Sequence, residues 1–419
     1  MKILKGNIVH APQLGKLETI EHGSIVLQDD GTISGIFPTT PNVSADEVID
    51  YGDRLIMQSF VDMHLHAPQY PMLGMGMDLP LIDWLNTYVF KTEARFSDIE
   101  YARRIYHKLA KELITNGTTR VCMFSSLHTD ATLILMEELE RAGVTGYVGK
   151  VNMDRNGGEN LQETTEESKR ETLRWLDACS DFKYIKPIIT PRFTPSCTDE
   201  LMDWLGKLAD ERNLYVQSHL SENKEEGEWV RELHPDCSQY WQTYAKYGLW
   251  KDHTIMAHCV HSDKSECEAM RDAGVVVAHC ADSNINLCSG VAPIREMLNM
   301  GVWVTLGSDI AGGAQLPVYK LMTMSIRASK IKHIESGWSE DFLTVPEAYY
   351  LGTTSSHRYF GAGAGLAVGD KLHAIVVDDS DFTEATHPLS LSERLERAVY
   401  MMNPNSISAV WSEGRKVVG

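Results

Sequence analysis

The 419-residue chain is 43% hydrophobic and 23% charged, an ordinary globular composition with enough apolar material for a large core. Its formal net charge of −19 disfavours nucleic acid and anionic membrane surfaces, both of which are met by clustered Lys and Arg. No apolar run reaches the length of a membrane span, and the 8 cysteines are scattered with no Cys-x-x-Cys, which fits reduced thiols better than a disulfide framework or a cysteine zinc site.

Residues 1–57 read as short strands and turns. Residues 24–28 and 32–36 flank Asp29-Asp30-Gly31, a hairpin signal. His10 and His22 have no catalytic residue types around them and read as surface or structural. The first residues show no signal-peptide apolar core, so a cytoplasmic protein is expected.

From residue 58 short β-branched runs alternate with helical patterns. The runs cover 60–66, 118–124, 146–151, 185–190, 214–218, 254–257, 275–278 and 302–308. Between them, residues 98–116 place Ala102, Ile105, Leu109 and Leu113 on one stripe, with Ser97 as N-cap and Gly117 past the end. Helices are also expected over 130–142 (before Gly143), 163–179, 198–212 (capped by Thr198) and 262–273 (between Ser262 and Gly274). Eight strand–helix units predict an α/β fold, a (β/α)8 TIM-like barrel over 58–366 with its chemistry at the C-terminal strand ends. An open doubly wound sheet is the alternative, but no Gly-x-Gly-x-x-Gly follows the first strand. A loop is expected at Gly361-Ala362-Gly363-Ala364-Gly365. Residues 373–378 then read as a strand, and 406–411 with 415–418 as a hairpin around Ser412-Glu413-Gly414. This tail (367–419) is expected to join residues 1–57 in a small β-sandwich domain.

The predicted strand ends carry His64, His66, Arg192, His219, His258, His279 and Asp309. Alternate residues of a strand share a face, so His64 and His66 project together. With His219 and Asp309 they make a plausible mononuclear zinc shell with room for a water, iron(II) being a second option. Asp309 can both bind weakly and accept a proton from that water, and His258 can hydrogen-bond the water and a developing oxyanion. Each histidine alone is more often structural; their common position at strand ends favours a site. Glu222, three residues after His219, reads either as a proton shuttle or as a helix-start glutamate with Glu225, Glu226 and Glu228. Cys259 and Cys280 adjoin His258 and His279, but strand neighbours face opposite ways, which weighs against a cysteine nucleophile.

Several stretches resemble the guanine deaminases of the amidohydrolase superfamily. These are His64-Leu65-His66-Ala67-Pro68-Gln69-Tyr70, Asp78-Leu79-Pro80, Thr190-Pro191-Arg192-Phe193, residues 217–223, Met256-Ala257-His258 and residues 307–313. The resemblance implies hydrolytic deamination of guanine, one zinc per subunit on His64, His66, His219 and Asp309, and His258 on the hydrolytic water. It implies Glu222 as proton shuttle, and Gln69, Arg192 and Phe193 with His219 and Glu222 around the purine. A homodimer acting on a small purine, with no nucleic acid or membrane partner, is the corresponding expectation. The chain departs from the pattern where relatives read His-Cys-Pro-x-Ser-Asn: here Ala281 replaces proline in His279-Cys280-Ala281-Asp282-Ser283-Asn284. The same metal shell on another amino- or halo-substituted heterocycle is the runner-up, and a non-catalytic scaffold a third reading. The other zinc deaminase signature, His-x-Glu with Pro-Cys-x-x-Cys, is absent.

Overall fold

The computed structural model describes residues 1–158, 161–363 and 366–419. The chain opens with β1 (Lys2–Gln13), β2 (Lys16–Leu27), β3 (Ile33–Phe37) and β4 (Glu47–Gln58). Ten strands follow: β5 (Phe60–His66), β6 (Thr118–Phe124), β7 (Thr145–Gly149), β8 (Val151–Asn152), β9 (Ile185–Pro187), β10 (Thr190–Pro191), β11 (Gln217–Leu220), β12 (Ile255–His258), β13 (Val276–His279) and β14 (Trp303–Leu306). The tail adds β15 (Ala374–Val377), β16 (Ile407–Ser412) and β17 (Arg415–Val418).

The central strands pair in parallel in two four-stranded sheets, β5-β6-β7-β9 and β11-β12-β13-β14, with β8 and β10 forming a short pair of their own. Such strands, covered on both faces, read as continuous apolar runs; all seven residues of β6 are buried. A parallel bridge between Ile189 and Val216 links the two sheets. At the other side, Asp309 N donates to His64 O (2.8 Å) and His66 N to Ile310 O (3.1 Å), so the chain leaving β14 meets β5.

Helices cover the sheets, including Ile99–Thr115, Thr129–Ala142, Thr165–Ala178, Asp199–Glu211 and Lys264–Ala273. One expected N-cap and one expected helix start each shift by one residue. Asp98, not Ser97, accepts from Glu100 N and Tyr101 N, while Ser97 Oγ bonds Ala94 O. Asp263, not Ser262, accepts from Glu266 N, and Ser262 Oγ instead donates to Glu266. In both cases a carboxylate stands immediately before the helix and wins the cap. Thr198 caps its helix as expected, and Gly143 ends its own at φ 87°. Among the elements with no sequence expectation are the short helical turns Leu81–Trp84, Leu85–Val89 and Phe90–Ala94, and the 18-residue helix Val318–Glu335.

Both chain ends enter one sheet of order β17-β16-β15-β4-β1-β2-β3. It is hydrogen-bonded as a single seven-stranded sheet, not as the two sheets of a sandwich, because β15 pairs antiparallel with β4 while β1 lies parallel on β4's other edge. Leu4, Ile25, Ile56, Val376 and Trp411 share its apolar cluster. The expected glycine loop is described as far as Gly363; Ala364 and Gly365 lie outside the described residues. Among the described residues no helix is long and apolar enough to cross a membrane.

Candidate active site

At the C-terminal ends of the parallel strands the structure brings ring nitrogens and a carboxylate to one point. Ligand atoms of His64, His219, His258 and Asp309 lie within 4.8 Å of one another, and all four residues are buried. His66 joins them: its Nε2 is 3.0 Å from His219 Nε2 and 3.5 Å from Asp309 Oδ1. His64 Nε2 lies 3.2 Å from Asp309 Oδ1, and His258 Nε2 lies 3.8 Å from Asp309 Oδ2. The approach of Asp309 to β5 requires a bare backbone beside it. A Cβ on Gly307 would stand 2.8 Å from His64 Cβ and 3.1 Å from Cys280 Sγ. Asp62, whose carboxyl burial raises to about 7, accepts from Ser308 N at 2.9 Å and fixes the same junction.

The far side of two rings is committed. His219 Nδ1–H donates to Arg192 O at 2.5 Å, and His258 Nδ1–H to Asn284 Oδ1 at 2.8 Å, so both Nε2 atoms turn their lone pairs inward. Nε2 of His64 and of His258 are buried without a hydrogen-bond partner. Burial holds His64 below its ordinary pKa and His66 and His219 well below it, so these rings are neutral. Burial opposes ionisation of Asp309 too, yet the imidazoles of His258 and His64 outweigh it and keep the carboxyl strongly acidic. Neutral imidazoles crowded on an ionised carboxylate, with orphaned nitrogens aimed inward, suit a divalent cation of the zinc or iron(II) kind.

Glu222 faces this cluster, its Oε2 3.6 Å from His258 Nε2. Burial, then the neighbouring Glu226 and Asp309 carboxylates, raise its carboxyl well above the usual range, which favours the protonated form. Glu226 accepts from the backbone N–H of Glu222 (2.9 Å) and of Asn223 (3.1 Å), and Tyr240 O–H donates to it at 2.7 Å. The helix-start reading thus belongs to Glu226, while Glu222 precedes the helix Lys224–Leu233 and lines the cavity.

The same cavity is lined by Gln69, Arg192, Phe193, His66 and Asp309, with Leu81, Ile82, Trp84 and Leu85 as an apolar wall. Gln69 Oε1 accepts from Ala311 N (3.0 Å), and its Nε2 donates to Glu93 Oε1 (2.9 Å). Arg192 grips Glu93 with both terminal nitrogens, at 2.7 and 3.1 Å. Phe193 packs edge-on against Trp229. His279 is buried and pushed down to about 3 by burial, but it lies outside the cavity lining. Ala281 opens the helix Ala281–Asn286, a first position where proline and alanine are both accepted, so the departure leaves the strand-to-helix turn in place. Cys259 and Cys280 are buried and their thiols pushed far up by burial, which removes the thiolate a nucleophile needs. Sequence reasoning missed Glu93 and Asn284 as partners. Asn284 stood inside a recognised stretch, whereas nothing marked Glu93.

Strand-end imidazoles, an acidic aspartate and a protonated glutamate over parallel sheets define a metal-dependent hydrolase. The amidohydrolase family model matches residues 55–417, and the chain belongs to that family. Within it the chain is similar to guanine deaminases. That of Dictyostelium discoideum is 33% identical over 443 residues, covering 100% of this chain and 98% of the relative. That of Mus musculus is 36% identical over 378 residues, covering 87% of this chain and 83% of the relative. The crystal structure of guanine deaminase from C. acetobutylicum with bound guanine in the active site superposes with a TM-score of 0.96 at 40% identity, covering 99% of both chains.

Proposed function

We propose that this chain hydrolyses guanine to xanthine and ammonia. The observation that carries the reading is one cavity in which Gln69, Arg192 and Phe193 face Glu222 and a cluster of buried imidazoles around Asp309. The guanine-bound relative of TM-score 0.96 supports guanine as the base.

His64, His66, His219 and Asp309 would hold the ion, zinc in this reading with iron(II) as the second choice. When bound, the metal makes a water acidic enough to act as a nucleophile at neutral pH. The residues supply the remainder. Phe193 and the wall from Leu81 to Leu85 hold the flat ring, while Gln69 and Arg192 align its polar edge. Glu222, protonated and beside His258, gives its proton to the ring nitrogen next to C2 as water adds there. Asp309 takes the proton that the water loses. His258, its tautomer set by Asn284, donates no proton inward from Nε2 in its neutral form. Once protonated, it can hydrogen-bond the oxygen on C2. The proton held by Asp309 passes to the amino group, which leaves as ammonia, while the C2 hydroxyl proton returns to Glu222 and the C2 oxygen remains as the new carbonyl.

The reading extends to the whole molecule. Residues 58–366 form a closed (β/α)8 catalytic barrel, supported by the Ile189–Val216 bridge and the His64–Asp309 backbone bond. Residues 1–57 and 367–419 form the accompanying β-domain. The functional species is a cytoplasmic homodimer, consistent with eight free cysteines and with the exposed apolar side chains of Trp338 (73%) and Ile334 (59%).

The test is release of xanthine and ammonia from guanine by purified protein, with a chelator and zinc add-back. Metal-dependent turnover is expected, with a loss of about 100-fold or more in Glu222→Gln, as for removal of a general acid. A folded, metal-loaded protein that ignores guanine but turns over another amino- or halo-heterocycle in a panel would replace the substrate and keep the machinery.

A further inference from the structure

Among the buried groups that the reaction above does not use, Glu93 is 1% exposed, absent from the cavity lining, and bonded to both groups that align the base. Its Oε1 accepts from Gln69 Nε2 and from Arg192 Nη2, and its Oε2 from Arg192 Nη1. We propose that Glu93 is a specificity-positioning residue that makes the recognition edge of the pocket a surface dominated by hydrogen-bond donors.

The Gln69 carbonyl accepts from Ala311 N–H, which fixes the amide's orientation and leaves it one lone pair. One of its two N–H groups is spent on Glu93, leaving one N–H. Arg192 has five N–H donors and no acceptor; two go to Glu93 in the bidentate grip, and three remain. Apart from that lone pair, every remaining polar position of these two side chains is a donor, four N–H groups against one acceptor site. Without the carboxylate, the Gln69 amide loses the contact that holds its N–H side, and Arg192 becomes a buried unpaired cation beside Phe90. Glu93 also lies on Phe90–Ala94, directly after the apolar wall, so it ties that wall to the recognition edge.

A donor-rich edge favours a base that presents a carbonyl oxygen and a ring-nitrogen lone pair over one that presents an amino group there. The inference rests on the guanine reading, and its consequence is discrimination at C6. Guanine carries oxygen at C6, 2-aminopurine carries hydrogen and 2,6-diaminopurine an amino group, while all three share the C2 amine that is lost. Wild-type protein should favour guanine over both analogues in kcat/KM by at least about 10-fold, the worth of hydrogen bonds to a charged group.

In Glu93→Ala and in the isosteric Glu93→Gln, guanine should lose about 10-fold or more, mainly as a rise in KM. 2-Aminopurine should change by less than about threefold, and 2,6-diaminopurine should gain relative to guanine. Metal content per chain and the melting temperature are measured alongside, with Glu93→Asp as the rescue variant. A loss equal for all three bases, or one confined to kcat, would make Glu93 a plain structural support and overturn the proposal. Equal kcat/KM for the three bases in wild type would overturn it even if every variant misfolds. Absence of any guanine turnover in metal-loaded wild type would instead count against the underlying reading.

Discussion

Asn284 shows how one side chain determines the state of another. Its Oδ1 accepts a hydrogen bond from His258 Nδ1–H at 2.8 Å, which turns Nε2 toward Asp309 and Glu222. Alanine at 284 removes the acceptor, lets the imidazole adopt either tautomer and frees it to rotate. The expected cost is about 10–100-fold in kcat, the range for partners that orient site histidines. Steady-state kinetics of Asn284→Ala with unchanged melting temperature would bear this out; activity within twofold of wild type would show that packing alone orients His258. Arg192 works on two sides at once: its carbonyl fixes His219, and its guanidinium is gripped by Glu93. A change at 192 therefore cannot be read as loss of a substrate contact alone.

At the scale of elements, the site depends on how closely the strand ends approach. The segment after β14 reaches β5 through the Asp309 N–His64 O bond, and Gly307 has no room for a Cβ. Gly307→Ala would push this segment away from His64 and Cys280. Overpacking of this kind costs about 1–3 kcal/mol, and here it also displaces Asp309 from the imidazoles. The expected outcome is a lower melting temperature together with substoichiometric metal by elemental analysis. Full metal content in Gly307→Ala would mean that the strand ends adapt without moving the ligands. Likewise, the helix Lys224–Leu233 serves the site through its first turn. Glu226 closes a capping box with Asn223 and binds the Glu222 backbone, so a local helix-start motif presents the proton donor.

Across the whole molecule, the terminal sheet is joined to the parallel strands by a buried polar contact. His373 receives the Thr119 hydroxyl on Nδ1 (2.8 Å) and donates from Nε2 to Glu413 (2.9 Å), with Arg120 3.5 Å from the same carboxylate. Burial, then Arg120, lower His373 to about 4, and the bond from His373 lowers Glu413 to about 2. Both folded pKa values lie below their unfolded ones, so the stability is present at neutral pH and lost on acidification. For His373 the loss runs from about pH 6.5 to 4, and for Glu413 from about 4.5 to 2. The His373 share is of order 2–3 kcal/mol. Urea unfolding at pH 7 and pH 4.5 should show a marked drop, smaller in His373→Gln. An identical drop in that variant would assign the acid sensitivity to other buried histidines such as His357.

Much of this protein was legible locally. The period-two pair His64 and His66, the alternation of β-branched runs with helical patterns and the Thr198 cap are determined within a few residues of themselves. They located the strand ends on which the site stands. The tertiary structure decided what depends on distant partners. Glu93 meets Arg192 across 99 positions, and nothing in the local pattern distinguishes it from a surface glutamate. The orientation of His258, the single sheet made from both termini and the one-residue shifts of a helix cap and a helix start were likewise open. Backbone propensity and side-chain period act over single turns and strands. Partner choice among buried polar groups is settled only when packing excludes water and leaves each donor one acceptor.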